Sequence, residues 1–148
     1  MFKGFWKKQI RNLAQSVILE GSHWFETRNV GGGCPPIELP EGWLCIFHTV
    51  EESNHGRVYH ASAALLDKKN PHKVIARLHE PLFSPEKSWE TSGLVSNVVF
   101  PTGAVLEGSK LYIYYGAGDK YIAVASTDIH DLVDTMKKNI HHHEKNKS

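Results

Sequence analysis

The chain has 148 residues, with seventeen Lys and Arg against sixteen Asp and Glu and a formal charge of +1. That balance excludes the binding of nucleic acid or of an anionic membrane by bulk charge alone. Apolar residues make up 41%, among them four Trp, five Tyr and six Phe, which excludes an intrinsically disordered chain and predicts one folded domain around one core.

In chain order, Phe5, Trp6 and Ile10 offer a short helical face, and Val17-Ile18-Leu19 reads as a strand remnant closed by Gly21-Ser22. Lys3, Lys7, Lys8 and Arg11 interrupt the apolar residues of this segment, so no export signal is expected. Short apolar segments then predict strands at Trp43 to His48, Val58 to Leu66, Val74 to Arg77, Val98 to Phe100, Leu111 to Tyr115 and Tyr121 to Ala125. Between them stand the turn signals Pro40-Glu41-Gly42, Asn54-His55-Gly56, Lys69-Asn70-Pro71, Glu107-Gly108-Ser109 and Gly116-Ala117-Gly118. The short, fairly even spacing predicts antiparallel meanders of a sandwich, barrel or propeller, because no helix-length segment separates the strands.

One helix is predicted at the end of the chain. Ser126 or Thr127 can cap it, Asp128 and Asp131 suit its positive end, and Lys137 and Lys138 suit its negative end. Ile129, Leu132, Val133, Met136 and Ile140 form one apolar stripe. Residues 141–148, with three adjacent histidines and no apolar anchor, are expected to be a disordered tail rather than a metal site. The apolar runs fall far short of the ~20 residues that cross a bilayer. Cys34 and Cys45 are too few for a disulfide framework and form no C-x-x-C pair, so a reducing, cytoplasmic setting is expected.

Four places could carry chemistry. Gly31-Gly32-Gly33, followed by Cys34-Pro35-Pro36, allows close backbone approach to a ligand, or equally makes a tight turn between strands. It is neither a Walker loop, lacking Gly-Lys-Ser/Thr, nor a dinucleotide fingerprint, lacking a following helix. His48, at a strand end, could donate hydrogen bonds or carry a proton in a cleft, or be a structural histidine. Glu90 beside Trp89, and Asp119 after Tyr114-Tyr115, are carboxylates near aromatic rings, as sugar chemistry uses; alone, each reads as a surface or turn residue.

Taken together, Val30-Gly31-Gly32-Gly33-Cys34-Pro35-Pro36-Ile37, Gly42-Trp43-Leu44-Cys45-Ile46-Phe47-His48, Pro71-His72-Lys73-Val74-Ile75-Ala76-Arg77, Asn97-Val98-Val99-Phe100-Pro101-Thr102-Gly103 and Leu111-Tyr112-Ile113-Tyr114-Tyr115-Gly116-Ala117-Gly118-Asp119 form an ordered series. The series resembles the C-terminal half of glycoside hydrolase family 130, the β-mannoside phosphorylases and related β-mannosidases, from about Leu19 to Ile140. The resemblance implies an all-β fold: a partial five-bladed β-propeller of about three blades with a C-terminal α-helix, spanning residues 1–140.

It also implies a sugar and phosphate site at the channel mouth. His48 would help hold phosphate, Asp119 would accept a sugar hydroxyl, and Gly31, Gly32 and Gly33 would shape the floor. The family's phosphate-binding Lys falls at Asn29, an uncharged residue, which favours hydrolysis over phosphorolysis; Glu90 would then be the base that activates water. The family's proton-donating Asp lies upstream of the glycine loop and has no match in residues 1–28. Losing such an acid costs a factor of roughly 10²–10⁴. The expected partner is a mannose-containing oligosaccharide, with inorganic phosphate as the alternative co-substrate and no metal or organic cofactor. A carbohydrate-binding remnant is the alternative to an enzyme. A homodimer through open sheet edges, or a separate N-terminal half, would complete the ring.

Overall fold

The structure, a computed structural model, describes residues 16–145, with side chains through residue 138. The helical face at Phe5, Trp6 and Ile10 lies outside the described residues, and Val17-Ile18-Leu19 is irregular rather than a strand.

Among the described residues eight strands form: β1 (Asn29–Gly31), β2 (Ile37–Leu39), β3 (Gly42–Ser53), β4 (Gly56–Leu66), β5 (Val74–Arg77), β6 (Val99–Glu107), β7 (Lys110–Ala117) and β8 (Tyr121–Asp128). All pair antiparallel within two sheets, β1-β3-β4-β5 with β2 also on β3, and β6-β7-β8. Among the described residues the strands form these two sheets and no closed ring. The stretch between β5 and β6 is about twenty residues of mostly irregular chain that contain only the short helix α1 (Ser88–Thr91).

The first sheet is organised by one long hairpin, β3 with β4, in register from Trp43↔Leu66 to Ser53↔Gly56. The inner half of β4, His60–Leu66, is buried on both faces, and its Ala61, Ala63 and Ala64 let neighbours pack close to the sheet. Strands β2 and β1 lie end to end along the other edge of β3, at Leu44 to Gly42 and at Val50 to His48 respectively. The glycine-proline segment spans the gap between them, tied in by Cys34 N–H donating to the Ile46 carbonyl at 2.9 Å. The segment is therefore a connection between two strands, and it packs closely against β3.

The main core sits between the Leu44, Ile46, Ala63 and Leu65 face, Leu111 and Ile113 of β7, and the terminal helix α2 (Ile129–Lys145). Ile129, Leu132, Val133 and Met136 all enter it, as their spacing predicts. The cap differs from expectation. Asp128 Oδ1 accepts from His130 N–H at 2.8 Å, while Ser126 and Thr127 are still paired in β8 opposite Tyr112 and Leu111. The helix backbone continues beyond residue 140 to Lys145.

A 3₁₀ turn (Trp24–Glu26) covers the other face of the first sheet. Its Glu26 side chain is fully buried and accepts from Arg77 Nη2 at 2.6 Å, Ser22 N–H at 2.8 Å and His23 N–H at 3.1 Å. A buried carboxylate needs this degree of satisfaction. On the second sheet, Val105, Tyr114, Ile122 and Val124 are exposed, and the register Gly103↔Tyr114↔Val124 puts them on one outer face. No helix among the described residues is long and apolar enough to cross a membrane.

Candidate functional site

His48 sits opposite Gly31 on β1 and Ala61 on β4, so its ring rises from the middle of the first sheet. A Cβ on Gly31 would collide with the imidazole, so only glycine fits beneath the ring. Nδ1 lies 2.7 Å from the Gly32 carbonyl oxygen, which can only accept; Nδ1 therefore carries the proton. Nε2 is left as an acceptor in the neutral ring and becomes a second donor when the ring is protonated. The ring stacks on Phe100 with centroids 4.2 Å apart and lies near-parallel to Tyr59 at 6.3 Å.

Phe100 and Tyr59 also line a cavity of about 210 Å³ together with Val95, Val98, Gly116 and Asp119. His48 and Asp119 therefore border one aromatic wall, coming from different sheets. The wall is assembled where a parallel bridge joins Tyr59 to Val98, with Tyr59 N–H donating to the Asn97 carbonyl at 2.9 Å. Asp119 follows Gly118 in the β7–β8 turn, and both adopt left-handed backbone, φ 53° and 58°. This is the backbone of a tight hairpin turn, closed by Lys120 N–H donating to the Ala117 carbonyl at 3.1 Å, and Asp is among the few residues with a side chain that adopt it readily.

The glycine loop divides its labour. Gly33 is crowded by the backbone of Ile46, Phe47 and Pro101, so its lack of a side chain lets the loop wedge between β3 and β6. Gly32 faces open space and contributes its carbonyl to His48. Asn29 is exposed and pairs with Val50 one step along from the Gly31↔His48 pair on the same face, because side chains alternate along a strand. The neighbouring Arg28 is engaged by Glu52, which also receives Arg57.

Glu90 is placed differently from the expectation of a water-activating base. Only 4% exposed, it accepts at Oε2 from the N–H groups of Glu86 at 2.8 Å and Lys87 at 2.9 Å, and at Oε1 from the Tyr115 hydroxyl at 2.6 Å. Burial opposes its ionisation, but the Lys87 N–H, the Tyr115 hydroxyl and the Glu86 N–H outweigh burial and hold the carboxyl below the ordinary glutamate range. A carboxylate so satisfied is a poor proton acceptor. Glu90 anchors the α1 turn. Burial and the facing Glu90 charge push the Tyr115 phenol up to about 12.

Sequence reasoning missed Tyr59 and Phe100 as members of this region. Phe100 lies within a quoted motif but carries no polar group to mark it. Tyr59 shares a face with His48 only once the β3–β4 register is known. Among the described residues no group of three or more His, Cys, Asp or Glu could hold a metal ion.

The family model for glycoside hydrolase family 130, described as beta-1,4-mannooligosaccharide phosphorylase, matches residues 5–138. The chain is 50% identical over 104 residues to a beta-1,2-mannobiose phosphorylase of Thermoanaerobacter sp. (strain X514), covering 70% of this chain and 33% of the relative. It is 44% identical over 115 residues to a beta-1,4-mannooligosaccharide phosphorylase of Ruminococcus albus, covering 76% and 34%. The solved structure of a beta-1,2-mannobiose phosphorylase from Listeria innocua, in complex with beta-1,2-mannobiose, matches with TM-score 0.71 and 34% identity over 76% of this chain and 31% of that one.

The chain belongs to glycoside hydrolase family 130, a family of enzymes acting on β-mannosides. The matched stretch covers about a third of the length of these relatives.

Proposed function

We propose that this chain forms the nucleophile-side part of a β-mannoside phosphorylase site, with the glycosidic oxygen protonated by an acid outside the described residues. The observation that carries this reading is the sequestered Glu90 carboxylate. Hydrolysis needs a base to activate water, and Glu90, the base candidate, has its oxygens occupied. Phosphate is already an anion at neutral pH and needs no such base.

His48 would present Nε2–H to phosphate in its protonated form, since Nδ1 is committed to Gly32. Asp119 would accept sugar hydroxyls across the Phe100 and Tyr59 wall, whose rings suit the apolar face of a mannose. The two antiparallel sheets fit neighbouring blades of the propeller that the resemblance implies, and the two free cysteines suit the cytoplasm. Hydrolysis is the second reading, favoured by Asn29, which brings no charge to a phosphate.

Calorimetric titration of the chain with phosphate and with β-mannobiose tests both readings. The expected result is heat from each ligand, with H48A removing the phosphate signal and D119A the mannobiose signal. Mannobiose binding without phosphate binding would favour hydrolysis. Heat from neither ligand would sink the site itself.

A further inference from the structure

We infer that Glu90 and Tyr115 are positioning residues whose hydrogen bond sets the Asp119 turn, and through it the sugar affinity of the site. The inference rests on the reading of Asp119 as a sugar acceptor and assigns a role to the pair that faces away from the cavity.

Glu90 is tied at three points to its own turn and to β7, through the Glu86 and Lys87 N–H groups and the Tyr115 hydroxyl. Its backbone carbonyl accepts from Val98 N–H at 3.0 Å, and the Val98 carbonyl accepts from Gly118 N–H at 3.0 Å. The Gly118 carbonyl in turn accepts from Val95 N–H at 3.1 Å. An unbroken hydrogen-bonded path thus runs from the Glu90–Tyr115 contact to the residue preceding Asp119.

Steric fit reinforces the path. A Cβ on Gly93 would collide with the backbone of Gly118, and one on Gly118 would meet the Trp89 carbonyl at 2.7 Å and the Gly93 Cα at 3.1 Å. The segment from Trp89 to Val98 is therefore pressed directly against the β7–β8 turn. The Gly118-Asp119 turn, closed by Lys120 N–H donating to the Ala117 carbonyl at 3.1 Å, sits against this segment, and Val95 and Val98 of the pressed segment line the same cavity as Asp119. Loosening the anchor frees both the turn and one cavity wall.

The test uses Tyr115→Phe, which keeps the ring and removes the hydroxyl, with Glu90→Gln as a second variant, both in the full chain. Two readouts are taken: amide hydrogen exchange at Val95, Val98 and Gly118, and separate affinities for β-mannobiose and for phosphate. Losing a charge-assisted hydrogen bond predicts roughly tenfold faster exchange at these amides and roughly tenfold weaker mannobiose binding, with phosphate affinity unchanged. E90Q is expected to show the same pattern more weakly, because its amide oxygen still accepts from the turn. Unchanged exchange at the three amides would overturn the inference. So would exchange raised equally at Leu111 and Ile113, which would mark general destabilisation. If the parent chain binds no mannobiose, the reading of Asp119 fails, and the exchange pattern still decides whether the pair clamps the turn.

Discussion

The imidazole of His48 is held between Gly31 and Phe100, with the Phe100 ring centroid 4.2 Å away and no room for a side chain on Gly31. The ring has one place to stand, and its Nδ1 is spent on the Gly32 carbonyl.

G31A is expected to push the imidazole off Phe100, abolish phosphate binding and cost about 1–3 kcal/mol of stability, the usual range for overpacking. G32A, one residue on but facing open space, is expected to stay within about 0.5 kcal/mol of the parent. Urea melts of the two variants side by side check the pair, and equal losses would contradict the geometry.

Breaking the buried Glu26–Arg77 pair should be among the most damaging single changes. R77A leaves a fully buried carboxylate without its cation, which costs about 3–5 kcal/mol. A loss below about 1 kcal/mol in denaturant unfolding would show that the ion pair is not what fastens the Trp24–Glu26 turn to the sheet.

Met136 is completely buried where α2 meets the sheets, so M136A is expected to cost about 2–5 kcal/mol. Thermal unfolding measures it. A near-neutral result would mean that the helix contributes little to the core.

The Glu90–Tyr115 contact makes stability pH-dependent at both extremes. The folded-state pKa of Glu90 lies below its ordinary 4.5, so its contribution is present above pH 4.5 and is lost as pH falls through the depressed value. Tyr115 is raised from 10 to about 12, so its contribution is present below pH 10 and is lost as pH rises towards 12. Unfolding free energies across pH should show E90Q without the acid-side loss and Y115F without the alkaline one. Parallel curves for parent and variants would refute the coupling.

The long strands were legible because alternation and turn residues mark them; β3, β4, β7 and β8 all lie where the apolar segments predict, extended at one or both ends. Three-residue strands such as β1 and β2 are too short to carry a period, and they exist because β3 offers an unpaired edge. Ser126 and Thr127 are good caps by residue type, but β7 recruits them into a strand and passes the cap to Asp128. The strand that carries His48 was legible from its apolar run. Glu90 was singled out because its neighbour in sequence, Trp89, suggested a sugar platform. Its deciding neighbour is Tyr115, 25 residues away and brought close only by the fold.

The outward apolar side chains Val105, Tyr114, Ile122 and Val124 have a practical consequence for anyone handling the isolated polypeptide. An oily flank of this kind makes a folded chain adhesive, prone to cloudiness when concentrated and to retention on hydrophobic resins. Charged replacements at Ile122 and Val124 would leave the interior untouched while making the material easier to keep in solution.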